Sequence, residues 1–501
     1  MSDQQNKFSE LRSCCKYYID AYITLYQLKT GNEVELNSIY RMIKTELLES
    51  KKYLPQNIIR DILDIIPFNN RYTKTYLSLS KLISDEYHVK NVKNVEDISN
   101  FLFYKEYGIQ LDKSTNFEED SKDLDVHAEN TVYRAIMDND KERFISFTER
   151  EGFNKGQILK SNLYPNSEEG YSLLELCCYH GSVDCFKFLR TKFDSKITEK
   201  CLELSFLGRN QEILNECLKY QQPNDDCIKY AIISHNIDFV TFLMNEHNIE
   251  IDLEDCYNYN NLEAFMVYLD QIDFKKCLVL SAMFKVPSLC EYLLSHGANI
   301  DEKDIYGDTA LHKAAFYNSK ETVEILILHG ANIDEKDLHG KTALHKAAFY
   351  NSKETAELLI SLGANINEKE KFGKTALHMT ANNNSIEVAE LLISYGANVD
   401  EKDKFGKTAL HMAAENKSKE TAELLISHGA NINEKDKFGK TALHMAAENK
   451  SQEIAELLIS HGANINEKDL HGKTALHKAT IYNSRRITKL LISHGANINE
   501  K

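Results

Sequence analysis

Apolar residues in the carboxyl-terminal half of this chain recur with a period of 33 positions. Within 337–366, Leu344, Ala347 and Ala348 follow one another at helical spacing. Ala356, Leu358, Leu359 and Ile360 do so again after a polar break. From Asp337 to Lys341 the chain carries turn chemistry around Gly340, a residue suited to positive φ. Thr342 sits where a helix N-cap belongs. Asn351-Ser352 interrupts the first helix, and asparagine is among the few non-glycine residues that tolerate the left-handed conformation. The second helix stops at Gly363, and Ala364-Asn365-Ile366-Asn367 leads extended into the next turn. The pattern predicts a unit of turn, short helix, turn and longer helix.

The unit is repeated without a slip. Thr-Ala-Leu-His occurs at 309–312, 342–345, 375–378, 408–411, 441–444 and 474–477, with Gly307, Gly340, Gly373, Gly406, Gly439 and Gly472 two residues ahead. A period of this length means a solenoid, in which each unit buries its apolar face against its neighbours and none is a domain alone.

These residues resemble the ankyrin repeat, whose usual pattern contains G-x-T-P-L-H-x-A-A and later L-L-x-x-G-A-D-x-N. One departure is consistent: Ala310, Ala343, Ala376, Ala409, Ala442 and Ala475 replace the family's proline, and alanine is also a good helix former. The resemblance implies a mainly α ankyrin solenoid that binds protein partners. The near-identical units with Glu-Lys-Asp linkers also resemble the large ankyrin families of protists, trichomonads especially, many of which carry an amino-terminal region of unknown function.

Upstream the register decays. Leu293-Leu294-Ser295-His296-Gly297-Ala298-Asn299 is the second half of a unit whose first half has diverged. Gly170 to Cys178 echoes a unit start, and 198–220 and 226–249 read as helix pairs broken at Gly208-Arg209-Asn210 and His235-Asn236. Residues 130–148 read as another half unit. The span 126–300 is therefore expected to hold diverged ankyrin-like helical pairs. Residues 1–111 lack the period but place Leu11, Cys15, Tyr18, Ile19, Tyr22 and Leu25 at helical spacing, with further helices expected between Pro55 and Pro67, at 71–88 and at 95–107. They predict an all-helical amino-terminal domain, either an interaction module or a cap on the solenoid. The acidic segment 112–125 reads as a linker, 301–501 as six regular repeats, and 466–501 as a carboxyl-terminal cap. In that last unit Arg485, Arg486 and Lys489 reverse the usual charges and are expected to pair with Glu453 and Glu456.

Composition narrows the function. The net charge is −16, and 301–501 holds 29 acids against 26 bases, which leaves −13 on the first 300 residues. Neither half has the basic field that nucleic-acid binding needs. No apolar run is long enough to span a membrane, and the polar amino terminus has no signal-peptide core. All 11 cysteines precede residue 300 without a C-x-x-C pair. Cys177, Cys178, Cys201, Cys217 and Cys290 lie in apolar stretches, so buried thiols in a reducing cytoplasm are expected, with no zinc or disulfide role.

No nucleotide-binding, nucleophile-elbow or H-E-x-x-H motif is present, and no cofactor, metal or enzymatic activity is expected. His312, His345, His378, His411, His444 and His477 form a ladder, but stacked helices sit about 8–10 Å apart, too far for neighbours to share an ion. The ankyrin resemblance gives them a structural role, bonding the threonine hydroxyl and nearby backbone. His329, His428, His461 and His494 precede the glycine that ends each second helix and suit its carbonyl end. Each Glu-Lys-Asp, such as Glu335-Lys336-Asp337, reads as a solvated mixed-charge edge.

Function is then sought in the columns where near-identical units differ. By the resemblance, the concave face comprises the two residues before the turn glycine and the two after Ala-Ala. Units one, two and six carry Ile305-Tyr306, Leu338-His339 and Leu470-His471 at the tip, with Phe316-Tyr317, Phe349-Tyr350 and Ile481-Tyr482 on the helix. Units three to five carry Lys371-Phe372, Lys404-Phe405 and Lys437-Phe438, with Asn382-Asn383, Glu415-Asn416 and Glu448-Asn449. Two adjacent aromatic pairs predict an exposed apolar patch that binds protein, with Tyr482 and the tip phenylalanines as further candidates. The alternatives are block duplication without selection for binding, a purely structural tether, and a regulated enzyme with activity in 1–300 and the array as targeting arm.

Overall fold

A computed structural model describes residues 9–49, 53–113, 126–166, 168–272 and 276–499. The chain divides into two compact units, Met1–Gln271 and Ile272–Lys501.

The first unit is built from short amphipathic helices. Helix Lys16–Tyr26 buries Tyr18, Ile19, Tyr22 and Leu25, the residues its periodicity assigns to one face. Pro55 starts helix Pro55–Asp64 at a position where its missing N–H costs nothing, and Ile58, Ile59, Ile62 and Leu63 are its buried stripe. Helices Thr73–Glu86 and Asp97–Tyr107 complete the amino-terminal part. Helix Glu33–Ile43 differs: only Ile43 is fully buried, and Leu36 and Ile39 are half-buried.

After residue 126 come helix pairs. The segment read as a half unit is a full pair, Val132–Met137 and Lys141–Thr148. Pairs follow at Leu173–His180 with Val183–Phe193, Glu199–Gly208 with Gln211–Leu218, and Asp225–Ile233 with Ile237–His247. Periodicity did not single out the next pair, Leu253–Asn258 with Leu262–Leu269. A two-residue antiparallel ladder, Ile158–Leu159 with Tyr171–Ser172, is likewise too short to leave a sequence signal.

The two parts of this unit interlock through buried hydroxyls. Tyr18 Oη donates to Asn260 Oδ1 at 2.8 Å, and Tyr179 Oη to the Pro67 carbonyl at 2.8 Å. Residues 114–125 of the expected linker lie outside the described residues. Asp112 itself is buried: its Oδ2 accepts from Asn94 N–H at 2.7 Å and its carbonyl from Asn100 Nδ2 at 2.8 Å. Ten cysteines are buried as small core residues, and Cys14 is exposed.

The second unit begins with Cys277–Ser281 and Pro287–Ser295 and continues as six pairs, from Ala310–Phe316 with Lys320–Leu328 to Ala475–Ile481 with Arg485–Ser493. In the complete unit at 343–361, Leu344, Ala347, Ala348, Ala356 and Leu359 are buried. Gly340 has φ 79° and Asn351 φ 54°, as the turn chemistry requires. A Cβ at Gly340 would also stand 2.9 Å from the backbone nitrogen of Lys371, so the glycine permits close approach of the next turn as well. No described helix is long and apolar enough to cross a membrane.

Candidate recognition surface of the repeats

Successive turns are tied together by backbone. Leu338 N–H donates to the Tyr306 carbonyl at 3.0 Å, Lys371 N–H to His339 at 2.9 Å, and Lys404 N–H to Phe372 at 2.8 Å; the same bond continues to Phe438. Each turn is closed by a carboxylate. Asp337 Oδ1 accepts from His339 N–H and Lys341 N–H, both at 2.8 Å, and the Asp337 side chain has no exposed surface. The expected solvated edge is therefore split. Glu and Lys do form an exposed ladder between units, as in Lys336–Glu368 at 2.7 Å, but the aspartate points inward as a turn cap. Hydrogen bonding and the neighbouring Lys346 hold Asp337 below the usual carboxylate range despite its burial.

The histidine ladder fixes the stacking. His345 Nδ1 accepts from Thr342 N–H at 3.2 Å, so Nε2 carries the proton and donates to the Lys374 carbonyl of the following unit at 3.1 Å. The same pair of bonds recurs from His312 to His444. Burial pushes His345 down to about 4. The second set works as carbonyl caps: His329 Nδ1 lies 2.8 Å from the Ile325 carbonyl, and His428, His461 and His494 repeat the contact.

These units match a family model described as ankyrin repeats (three copies) at 278–370, 363–436 and 431–501. Residues 278–501 are ankyrin repeats. The match begins inside the span read as diverged from sequence. A second model, described as a domain of unknown function (DUF3447), matches 193–268. No curated protein matches the chain. Among solved structures, the human ASB11 ankyrin repeat domain is 23% identical, the match covering 44% of this chain and 98% of that one with a TM-score of 0.41. Ankyrin repeats are generally protein-binding modules.

On the ankyrin array, the candidate residues fall into two groups. Phe316, Tyr317 and Phe349 are half-buried and Tyr350 is exposed. Phe316 and Tyr350, one unit apart, have ring centroids 3.8 Å apart, while Phe316–Tyr317 and Phe349–Tyr350 stand at 4.4 and 4.9 Å. The aromatic pairs of units one and two thus form one continuous cluster. The tips are more exposed: Ile305 at 82%, Tyr306 at 59% and Leu338 at 58%, with His339 also exposed. Phe372, Phe405 and Phe438 are exposed at the tips of the polar units, and Phe372 stacks on Phe405 at 6.4 Å. Tyr482 is exposed but is not joined to the cluster of units one and two by any ring contact among the described residues.

The structure adds two features that sequence reading passed over. Lys313, Lys346 and Lys478 occur in the aromatic-type units where Met379, Met412 and Met445 occur in the others. Lys346 Nζ bridges Asp308 at 2.7 Å and Asp337 at 2.9 Å. In the methionine units the equivalent buried carboxylates, Asp403 and Asp436, have no such lysine partner among the described residues. The period-33 alignment of Lys with Met was the available signal. Second, left-handed Asn384 reaches into the next unit, donating from Nδ2 to Glu420 at 2.6 Å and accepting from Thr421 N–H at 3.1 Å. Arg485, Arg486 and Lys489 are exposed, and among the described residues they form no ion pair with Glu453 or Glu456; Glu453 instead lies 3.6 Å from Lys419. No group of three or more His, Cys, Asp or Glu among the described residues is placed to hold a metal ion.

Proposed function

We propose that the chain is a protein-binding scaffold whose ankyrin array recognises its partner through the cluster of Phe316, Tyr317, Phe349 and Tyr350. The observation that carries this reading is the 3.8 Å contact between Phe316 and Tyr350 across a unit boundary, flanked by the exposed Tyr306 and Leu338. A contiguous aromatic surface of this kind marks interaction sites, and tyrosine is frequent among interface hot spots. The backbone ties between turns fix the face before binding, so little ordering cost falls on association. Units three to five supply a charged rim: Lys407 pairs with Glu415 at 2.7 Å and Lys440 with Glu448 at 2.8 Å. The net charge of −16 favours protein over nucleic acid as the partner. Ten buried thiols suit a reducing compartment such as the cytoplasm. The role is recognition and not catalysis.

The test is affinity capture from the organism's own extract with two baits, the full chain and a variant with Phe316, Tyr317, Phe349 and Tyr350 changed to serine. Circular dichroism first establishes that the variant folds. Partners retained by the full chain and lost by the variant support the surface. Identical partner lists from two folded baits overturn it and redirect attention to residues 1–271.

A further inference from the structure

The first 300 residues carry a net charge of −13, yet one cavity in the Met1–Gln271 unit gathers cations. It has a volume of about 180 Å³ and is lined by Lys29, Arg71 and Arg209 together with Phe68, Tyr72 and Tyr179. No carboxylate lines it, and none of the three cations is ion-paired among the described residues. In an acid-rich chain, this local absence of acids is an arrangement that needs a cause.

Backbone carbonyls at helix ends supply part of it. Arg71 Nη2 donates to the carbonyl of His180, the last residue of helix Leu173–His180, at 3.1 Å, and also to that of Met137, the last residue of Val132–Met137. Arg209 sits in the left-handed region at φ 50°, just past helix Glu199–Gly208, and its Nη2 donates to the carbonyl of Tyr26 at 2.7 Å. Each guanidinium thus has one edge satisfied by the negative end of a helix. The other edges are unaccounted for. Arg209 Nε is buried and has no hydrogen-bond partner among the described residues. A buried donor left unmade is unfavourable, the more so when it belongs to a charged group. Burial also pulls the Arg209 guanidinium below its ordinary pKa, with only the phenols of Tyr76, Tyr179 and Tyr72 to oppose the shift.

We propose that this cavity binds a small oxyanion, namely phosphate or a phosphate monoester group. Arg209 and Arg71 would offer the guanidinium edges left over from their carbonyl contacts, and exposed Lys29 would close the mouth with a third charge. Guanidinium groups match the planar spacing of phosphate oxygens, and lysine adds a point charge. The volume lies below the roughly 300–1,000 Å³ of pockets for drug-sized ligands, which limits the occupant to one such group. The site joins the amino-terminal helices, through Lys29 and Arg71, to Arg209 of the region that matches the domain of unknown function. It does not depend on the recognition surface of the repeats.

The free ion and a phosphorylated side chain present the same group. Isothermal titration of the full chain, at constant ionic strength in chloride, therefore uses inorganic phosphate and a short phosphoserine peptide, with the unphosphorylated peptide as blank. A single saturable site is expected, abolished by Arg209→Gln. Lys29→Gln is expected to weaken it about tenfold, the loss of one charge-assisted contact. Lys29 is exposed, so that variant keeps the test valid if Arg209→Gln fails to fold. Binding of inorganic phosphate alone assigns the free ion, and binding of the phosphopeptide assigns a phosphorylated partner; either supports the site. No saturable binding of either probe, or binding unchanged by Lys29→Gln, overturns it.

Discussion

Lys417 occupies the left-handed position that asparagine holds in four of the six regular repeats, with φ 63° against 54° at Asn384. A side chain in this conformation costs about 1–2 kcal/mol, of which asparagine pays less because its short amide bonds locally. Asn384 also caps the second helix of the next unit by accepting from Thr421 N–H at 3.1 Å, one of the donors every helix start leaves unpaired. Lys417 cannot repeat that bond. Changing Lys417→Asn is expected to relieve the backbone and to engage Ile454 N–H. The accompanying bond to Glu453, a side chain 71% exposed, adds little. The sum is a stabilisation of about 1–2 kcal/mol. Native-state hydrogen exchange on the full chain reads it as protection over 442–460 increased by about 5–30-fold, separately from the first unit. Lys417→Gln, which removes the charge without the left-handed preference, should change little, and Asn384→Lys should lower protection over 409–427 by a similar factor. If Lys417→Asn leaves protection unchanged or lowers it, the assignment of the asparagine as an inter-unit cap is wrong.

Four further outcomes follow from the same geometry. His345 is pushed down to about 4 from an unfolded value near 6.5, so the unfolded chain takes up the proton first; this contribution is intact above about pH 6.5 and falls by about 3 kcal/mol as pH drops to 4, and a urea midpoint for the array that is flat from pH 7.5 to 4.5 would contradict it. Met412→Lys places an ammonium nine residues after Asp403, as Lys346 follows Asp337, and is expected to raise array stability by about 1 kcal/mol in urea unfolding. Gly208→Ala puts a Cβ 2.0 Å from the Cys178 carbonyl oxygen, and thermal unfolding of the first unit should show a loss of at least about 2 kcal/mol. Replacing Phe372, Phe405 and Phe438 with serine should weaken partner capture less than replacing the aromatic cluster, because these tips lack its continuous contacts.

The sequence by itself determined the repeat. Gly340, Thr342, Asn351 and Gly363 mark the turn, cap and breaks, and these depend on backbone preferences that act within a few residues. Apolar spacing likewise marked helices Lys16–Tyr26 and Pro55–Asp64, because one buried stripe suffices to set a helix. Tertiary structure decided whatever depends on a partner far along the chain. Asp337 reads as solvated beside Glu335 and Lys336 and is buried only because Lys346 and the turn backbone meet it. Phe316 and Tyr350 are separate pairs in sequence and one cluster only when adjacent units stack. The cavity of Lys29, Arg71 and Arg209 draws on residues 180 positions apart, none of which reads as a site in the sequence, since a charge's local sequence does not say which helix ends will converge on it.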